Sequence, residues 1–420
     1  MTAVWRALTM LALHVPLSVA AAAWPPVDAI RFVGNDTTRE RVMLREMTLG
    51  PGDPADPAAI EASRQAILDL GLFRDVAIAS EPGENGVTLV VTLDEKWYVL
   101  PVPRLDASSD RDVSYGAELR WNNVMGRNHT LEVYAERSEF EEERDREDER
   151  HVELSYDAPY LFDTPYALHL ELEHLERGAL DREGRGYDET FRRAEVLATR
   201  DFTRGRPRRG WTLGAGLYRD DQTTSGAFAP PSDGVALAAV GTARYDDLRF
   251  HVYSETGRRL RLRAEIASDA FASDYDYSRT QASYFASRAF GEIEHQTLHF
   301  LAGAGVATDG PRSRNTYSLG GSGALRGYGS DFLEGDAFYY VAAEYLRPIR
   351  WDWLRLVVLA ELGGADRNVF DSSNADLSPY ASIGLGVRIR LVKFVDVELE
   401  LGIAMPLRGG DGARFFAGGN

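Results

Sequence analysis

The segment Gly320-Gly321-Ser322-Gly323-Ala324 nearly spells the turn that presents a hydrolase serine between two glycines. That turn needs glycine at its fifth position and a strand-to-helix junction, whereas here alanine stands fifth and no helical pattern follows. Gly321, Gly323 and Arg326 likewise miss the dinucleotide fingerprint, which requires a third glycine where Arg326 stands. His169, Glu171 and Glu173 are metal-ligand types on one strand face. At 3.3 Å per residue, positions i, i+2 and i+4 spread over about 13 Å, too far for one ion. The chain contains no cysteine, so thiolate nucleophiles and metal–thiolate sites are excluded. The expectation is therefore a non-enzymatic chain without metal or cofactor. What remains chemically distinctive is Arg326, a planar fork of donors set in the glycine-rich run Leu319 to Tyr328.

A net charge of −18 argues against nucleic acid, since phosphate binding needs a basic patch. Much of that charge falls in residues 139–150, EFEEERDREDER, which read as an exposed loop. At the start, Arg6 precedes an apolar run from Ala7 to Val19 and a small-residue site at Ala21-Ala22-Ala23. This pattern predicts a signal peptide over residues 1–23 rather than a membrane anchor, because about 13 apolar residues are too few to span a bilayer.

Residues 24–97 have their own rhythm. A strand from Asp28 to Val33 ends at Gly34-Asn35, and a helical stretch from near Thr37 is broken at Pro51-Gly52. A second helix opens on Asp56-Pro57, an N-cap followed by proline, and stops at Gly71. Two strands follow, Phe73 to Ala79 and Val87 to Leu93. The order is βααββ, a small α+β domain.

From 98 to 420 the signal is period-two alternation in segments of roughly ten residues. Leu260, Leu262, Ala264 and Ile266 alternate with Arg259, Arg261, Arg263 and Glu265. Val395 to Ile403 and Ile383 to Ile389 alternate in the same way. Such segments number about sixteen, an even count as in bacterial membrane barrels. Connections at 139–148, 177–185, 222–233, 309–335 and 365–378 are long and fall in the class opposite the N-terminus. Those near Gly126, Asp163, Glu292, Asp352 and Lys393 are short, with 202–209 and 248–257 the longer exceptions. That asymmetry predicts a closed transmembrane antiparallel β-barrel, and the rows Arg261/Arg263 and Glu398/Glu400 read as charges lining a wet lumen.

Gly34-Asn35, the run Gly71 to Val76 and Asp94-Glu95 occur in the order of a POTRA domain, the periplasmic module of the BamA/TamA/FhaC superfamily. The loop Leu319 to Tyr328 and the strand segment Glu344 to Pro348 also resemble that superfamily, whose Arg-Gly-aromatic loop tip folds into the barrel lumen. The chain is thus identified as a short, single-POTRA member, localised to the outer membrane with its N-terminal domain in the periplasm. The resemblance implies that Arg326, Gly327 and Tyr328 form the inward tip. Glu361 stands where the family presents an acidic residue, and alternation puts it on the face of Arg355 and Gly363, toward the lumen. A carboxylate there suits a bidentate hold on Arg326, in surroundings expected to be wet.

The implied function is to assist insertion of β-barrel proteins or translocation of polypeptides across the outer membrane. An unfolded outer-membrane or secreted polypeptide would be captured by strand addition to the POTRA sheet and passed to a seam between the first and last barrel strands. Pro101 and Pro103, which lack ladder donors, and Gly418-Gly419 suit such a seam. Edge termination, or a linker before the barrel, explains the prolines equally well. The aromatic pair Phe415-Phe416 lies four residues short of Asn420, so how the last strand closes stays open. Membrane lipid, periplasmic proteins and lipoproteins are further partners implied. The alternative is a passive or gated outer-membrane pore, or a surface receptor, without client insertion.

Overall fold

The computed structural model describes residues 24–107, 113–139, 149–180, 185–203, 205, 208–229, 233–308, 316–366, 377–410 and 412–419. The expected signal peptide and residues 140–148 of the acidic segment lie outside them. In the N-terminal domain, β1 (Val27–Val33), α1 (Glu40–Leu44), α2 (Pro57–Leu68), β2 (Phe73–Pro82) and β3 (Val87–Glu95) follow in the βααββ order. Its sheet has the order β1-β3-β2, with β1 parallel and β2 antiparallel to β3. The first helix is a single short turn, whereas α2 starts where Asp56 accepts the Ala58 N–H at 3.1 Å and Pro57 occupies the first turn.

Two of the motif fragments have local causes. Gly34 has φ of +87° and packs so closely on β3 that a Cβ would lie 2.3 Å from the Leu93 carbonyl oxygen, so no other residue fits. Glu95 accepts the N–H groups of Thr37 and Thr38 at 3.0 and 2.7 Å, tying the end of β3 to the start of the helical stretch. Met43, Ile67, Leu72, Phe73, Leu89 and Val91 fill the core.

The barrel begins at once. Its first half comprises β4 (Val99–Ala107), β5 (Val113–Trp121), β6 (Thr130–Glu139), β7 (Glu149–Ala158), β8 (Tyr166–Leu180), β9 (Gly186–Asp201), β10 (Gly210–Ser225) and β11 (Gly234–Asp246). A two-residue segment, β12 (Arg249–Phe250), sits in the next turn. The second half comprises β13 (Glu255–Ala267), β14 (Tyr277–Ala289), β15 (Thr297–Thr308), β18 (Ala337–Pro348), β19 (Leu354–Asp366), β20 (Tyr380–Arg390), β21 (Glu398–Pro406) and β22 (Arg414–Gly419). Between β15 and β18, β16 (Tyr317–Leu319) and β17 (Leu333–Gly335) form a separate hairpin. With β12 counted apart, sixteen strands pair in sequence and close through β22 and β4. Closure of the described strands removes the open sheet edges that hydrocarbon would not tolerate.

Alternation sorts the two faces as the sequence anticipated. Leu217, Leu262, Ile266, Leu385, Leu401 and Ile403 are exposed on the outside, while Glu265, Glu344, Arg355 and Glu361 are buried within. A soluble chain would not ring itself with exposed leucines; a lipid-facing band does. No helix among the described residues is long and apolar enough to cross a membrane. The row Val395 to Ile403 is shorter than its alternation suggests. Its strand starts at Glu398, and Val395 leaves the row to pack on the N-terminal core.

The N-terminal domain seats on the inner turns of the barrel. Arg39 N–H bonds the Gly126 carbonyl at 3.0 Å, and Trp97 N–H bonds that of Lys393 at 2.8 Å. Asp69 accepts the Phe250 N–H at 2.9 Å while Gln65 donates to the Phe250 carbonyl at 3.0 Å, so the small segment β12 is clamped by α2 and its end. Buried Glu46 pairs with Arg208, and the guanidinium groups of Arg45 and Arg208 lie over the Tyr160 ring at 4.0 and 4.3 Å.

Candidate functional site: the inward loop

The connection from β15 to β18 turns back into the lumen. Its hairpin β16/β17 carries a tip, residues 320–332, whose backbone is bent by Gly320 and Gly321 at φ of +134° and +83° and by Leu325 at +54°. Leu325 has no exposed surface; burial with Leu319, Tyr328, Tyr340 and Ala342 offsets its left-handed backbone. Gly327 is required by proximity. A Cβ there would stand 2.8 Å from the Pro406 nitrogen and 2.7 Å from Ser382 Cβ, inside the barrel wall.

Arg326 and Glu361 meet, though not by the bidentate fork that side-chain chemistry suggested. The Glu361 carboxylate accepts the Arg326 main-chain N–H at 2.7 Å, the Ser382 hydroxyl at 2.7 Å and the Tyr340 hydroxyl at 2.9 Å. The nearest guanidinium nitrogen is 3.8 Å from it. Instead the Arg326 guanidinium donates to Glu344 at 2.6 Å and to the Ser322 carbonyl at 3.2 Å, and lies 3.4 Å from Glu400. Arg388 closes a four-membered ring of charges, donating to Glu344 at 2.8 Å and to Glu400 at 2.6 Å. The surroundings are not wet: Arg326 is 8% exposed, Glu344 2% and Glu361 3%. Paired, hydrogen-bonded charges are the form in which such groups tolerate burial.

Tyr328 anchors the other side of the tip. Its hydroxyl lies 2.7 Å from the Arg408 carbonyl oxygen and 3.0 Å from that of Ala381, and its ring stacks on Phe332 at 4.5 Å. The tip also reaches the last barrel strand. Arg326 lies 5.5 Å above the Phe416 ring, Gly329 faces Arg414, and a Cβ on Gly418 would be 3.8 Å from Ser322 Cβ. Of the aromatic pair, Phe416 is thus buried against the loop, while Phe415 is exposed on the outside.

Pro101 and Pro103 lie within β4, paired with Leu119 and Ala117 of β5, and Gly418 and Gly419 lie in β22 opposite Glu400 and Leu399. Among the described residues β22, at six residues, is the shortest of the sixteen strands, and it is the neighbour of β4. His169 faces Asp157 across the sheet at 2.9 Å and lies 3.5 Å from Glu171, while Glu173 is taken by Arg193 at 2.8 Å.

Sequence reasoning missed Glu344, Arg388 and Glu400 as partners of the loop. Glu344 had a signal: it shares strand parity with Tyr340 and Ala342, so a charge on that face must look inward. Arg388 and Glu400 are register partners across the turn from β20 to β21, as are Arg390 and Glu398. Two alternating rows of opposite charge flanking one short turn announce that pairing.

Residues 25–96 match the POTRA family, surface antigen variable number repeat, and residues 123–416 match the Omp85 superfamily domain. The outer membrane protein assembly factor BamA of Nitratidesulfovibrio vulgaris is 43% identical over 77 residues, 18% of this chain and 9% of that protein's length. CdiB from Escherichia coli superposes with a TM-score of 0.66 at 15% identity, over 94% of this chain and 75% of the other. BamA from Haemophilus ducreyi lacking POTRA domains 1–3 gives 0.56 at 16% identity, over 94% and 84%. At such identities the structural likeness speaks for the fold.

Proposed function

The chain belongs to the Omp85 superfamily, and from that premise we propose that this outer-membrane barrel with its periplasmic POTRA domain is a non-enzymatic factor for inserting barrel proteins or translocating polypeptides. The name of its relative, an assembly factor, points the same way. The observation that carries the reading is the contact between loop tip and last strand: Arg326, Ser322 and Gly329 lie against Phe416, Gly418 and Arg414. A loop that braces the shortest strand at the closure of the barrel is placed to govern that closure. An incoming unfolded polypeptide would be captured by strand addition at an edge of the POTRA sheet, where β1 and β2 each have one neighbour. It would then pass to the seam between β4 and β22. There Pro101 and Pro103 would weaken the ladder from one side and Gly418-Gly419 of β22 from the other.

The test is reconstitution of the purified chain in liposomes with a urea-unfolded model barrel protein, scored by the heat-modifiable band of the folded client. Insertion at least severalfold faster than into empty liposomes is expected. No acceleration, together with steady ion conductance in planar bilayers, would instead favour the pore.

A further inference from the structure

Against the POTRA domain the inner half of the lumen holds an open chamber of about 790 Å³, bounded by Glu46, Asp69 and Gly71 and by barrel side chains. Most charges on its wall are committed. Arg208 holds Glu46, Arg249 lies 3.5 Å from Asp69, Arg120 holds Glu118 and Glu132, and Arg259 holds Asp246 at 2.7 Å. Lys96 rests over the Phe250 ring at 4.6 Å, and Glu255 and Asp396 also face the space.

Two exposed arginines there stand against each other, the side chain of Arg244 being 52% exposed. Arg244 of β11 and Arg261 of β13 are direct register partners, and both line the chamber. Side chains opposed in this way have Cβ atoms about 5 Å apart, where like charges destabilise a sheet. The acid nearest Arg244 is Asp246, 4.0 Å away and already engaged by Arg259 and by the Leu248 N–H. Among the described residues Arg261 has no ion pair and no side-chain hydrogen bond. Their register neighbours on the outer sides, Thr212 and Ser283, carry no charge.

We propose that this pair is an anion site, taking a tetrahedral oxyanion of the phosphate class between the two guanidinium groups. One planar fork satisfies both oxygens of a carboxylate, whereas a phosphate has oxygens enough for two forks arriving from adjacent strands. Bound there, the anion would turn a cross-strand repulsion into a brace between β11 and β13 directly under the POTRA domain. The proposal does not rest on client handling. Free phosphate and the phosphodiester of a lipid headgroup share the chemistry, and two probes separate them.

The full chain, folded in non-ionic detergent, is titrated calorimetrically with inorganic phosphate and with glycerophosphoethanolamine. Saturable binding to one site is expected, weakened at least tenfold by Arg244→Gln or Arg261→Gln and unchanged by Arg219→Gln, whose partner is Asp221. Tighter binding of the diester assigns the site to a headgroup, and tighter binding of inorganic phosphate assigns it to the free ion. Arg261→Gln relieves the repulsion, so without phosphate it should unfold no earlier than the parent, and phosphate should raise the unfolding temperature of the parent and of Arg219→Gln but not that of Arg261→Gln. Absence of saturable binding, or binding and thermal response in the arginine variants as strong as the parent's, overturns the proposal.

Discussion

The barrel grips two things, a loop inside it and a domain beneath it, by opposite physical means. The loop tip is held chiefly by charge: Arg326, Glu344, Arg388 and Glu400 form a ring shielded from water, and Glu361 is saturated by three donors. The POTRA domain is held by main-chain hydrogen bonds to the turns, by arginines stacked on Tyr160, and by shared apolar packing around Phe250, Val252 and Val395. Removing one member of a buried ring strands the others without solvent, so the loop's position is close to all-or-none. Removing one of many part-exposed contacts subtracts a little, so domain docking is graded.

The largest effect should come from opening the ring. Arg326→Ala or Glu344→Ala leaves a charge buried without its partner, a loss of about 3–5 kcal/mol measured as the urea midpoint of the folded barrel. The double variant should lose clearly less than the sum, because the first change already removes what the second would break. Strict additivity would dissolve the ring into independent contacts.

At the joint the loss is smaller. Glu46→Ala leaves Arg208 with Asp201 at 3.5 Å, and its side chain, 28% exposed, can turn to water, so about 1–2 kcal/mol is expected. The readout is faster protease cleavage near Trp97, with the heat-modifiable barrel band unchanged. A loss equal to that at Arg326 would erase the distinction between the two grips.

The smallest effect is one of pH. Burial pushes the Lys96 ammonium down to about 8 from 10.5, helped by nearby Arg390 and opposed by Asp396. Its folded pKa lies below its unfolded one, so the charge costs docking in full below about 8, and the cost fades as pH rises toward 10.5. Docking should strengthen across that window by at most ~1.4 kcal/mol per pH unit. Lys96→Met, which keeps the packing on Phe250, should flatten the slope of protease protection with pH. A slope that survives the substitution belongs to another group.

The same contrast explains what was legible in the sequence. Strand positions, barrel closure and the βααββ domain could be read because each is written locally, in period-two runs or in turn lengths. Glu344 was hidden because its partner lies across a loop rather than across a ladder, and side-chain chemistry alone offered Glu361 as readily. The dryness of the site was invisible too, since burial of Arg326 depends on Phe416 and Tyr340, contributed by strands far apart in sequence. Nothing in Glu46 or Asp69 announces Arg208 or Phe250; only the docked domain brings them together.

The central claim is that the inward loop governs the closure of the barrel at β22. A chain without cysteine allows it to be tested cleanly. Ser322→Cys combined with Gly418→Cys places two Cβ atoms 3.8 Å apart, within the range a disulfide spans. In the liposome assay the oxidised protein should remain a heat-modifiable barrel yet lose most client insertion, and reduction should restore it. Full insertion by a protein shown to be completely cross-linked would contradict the account.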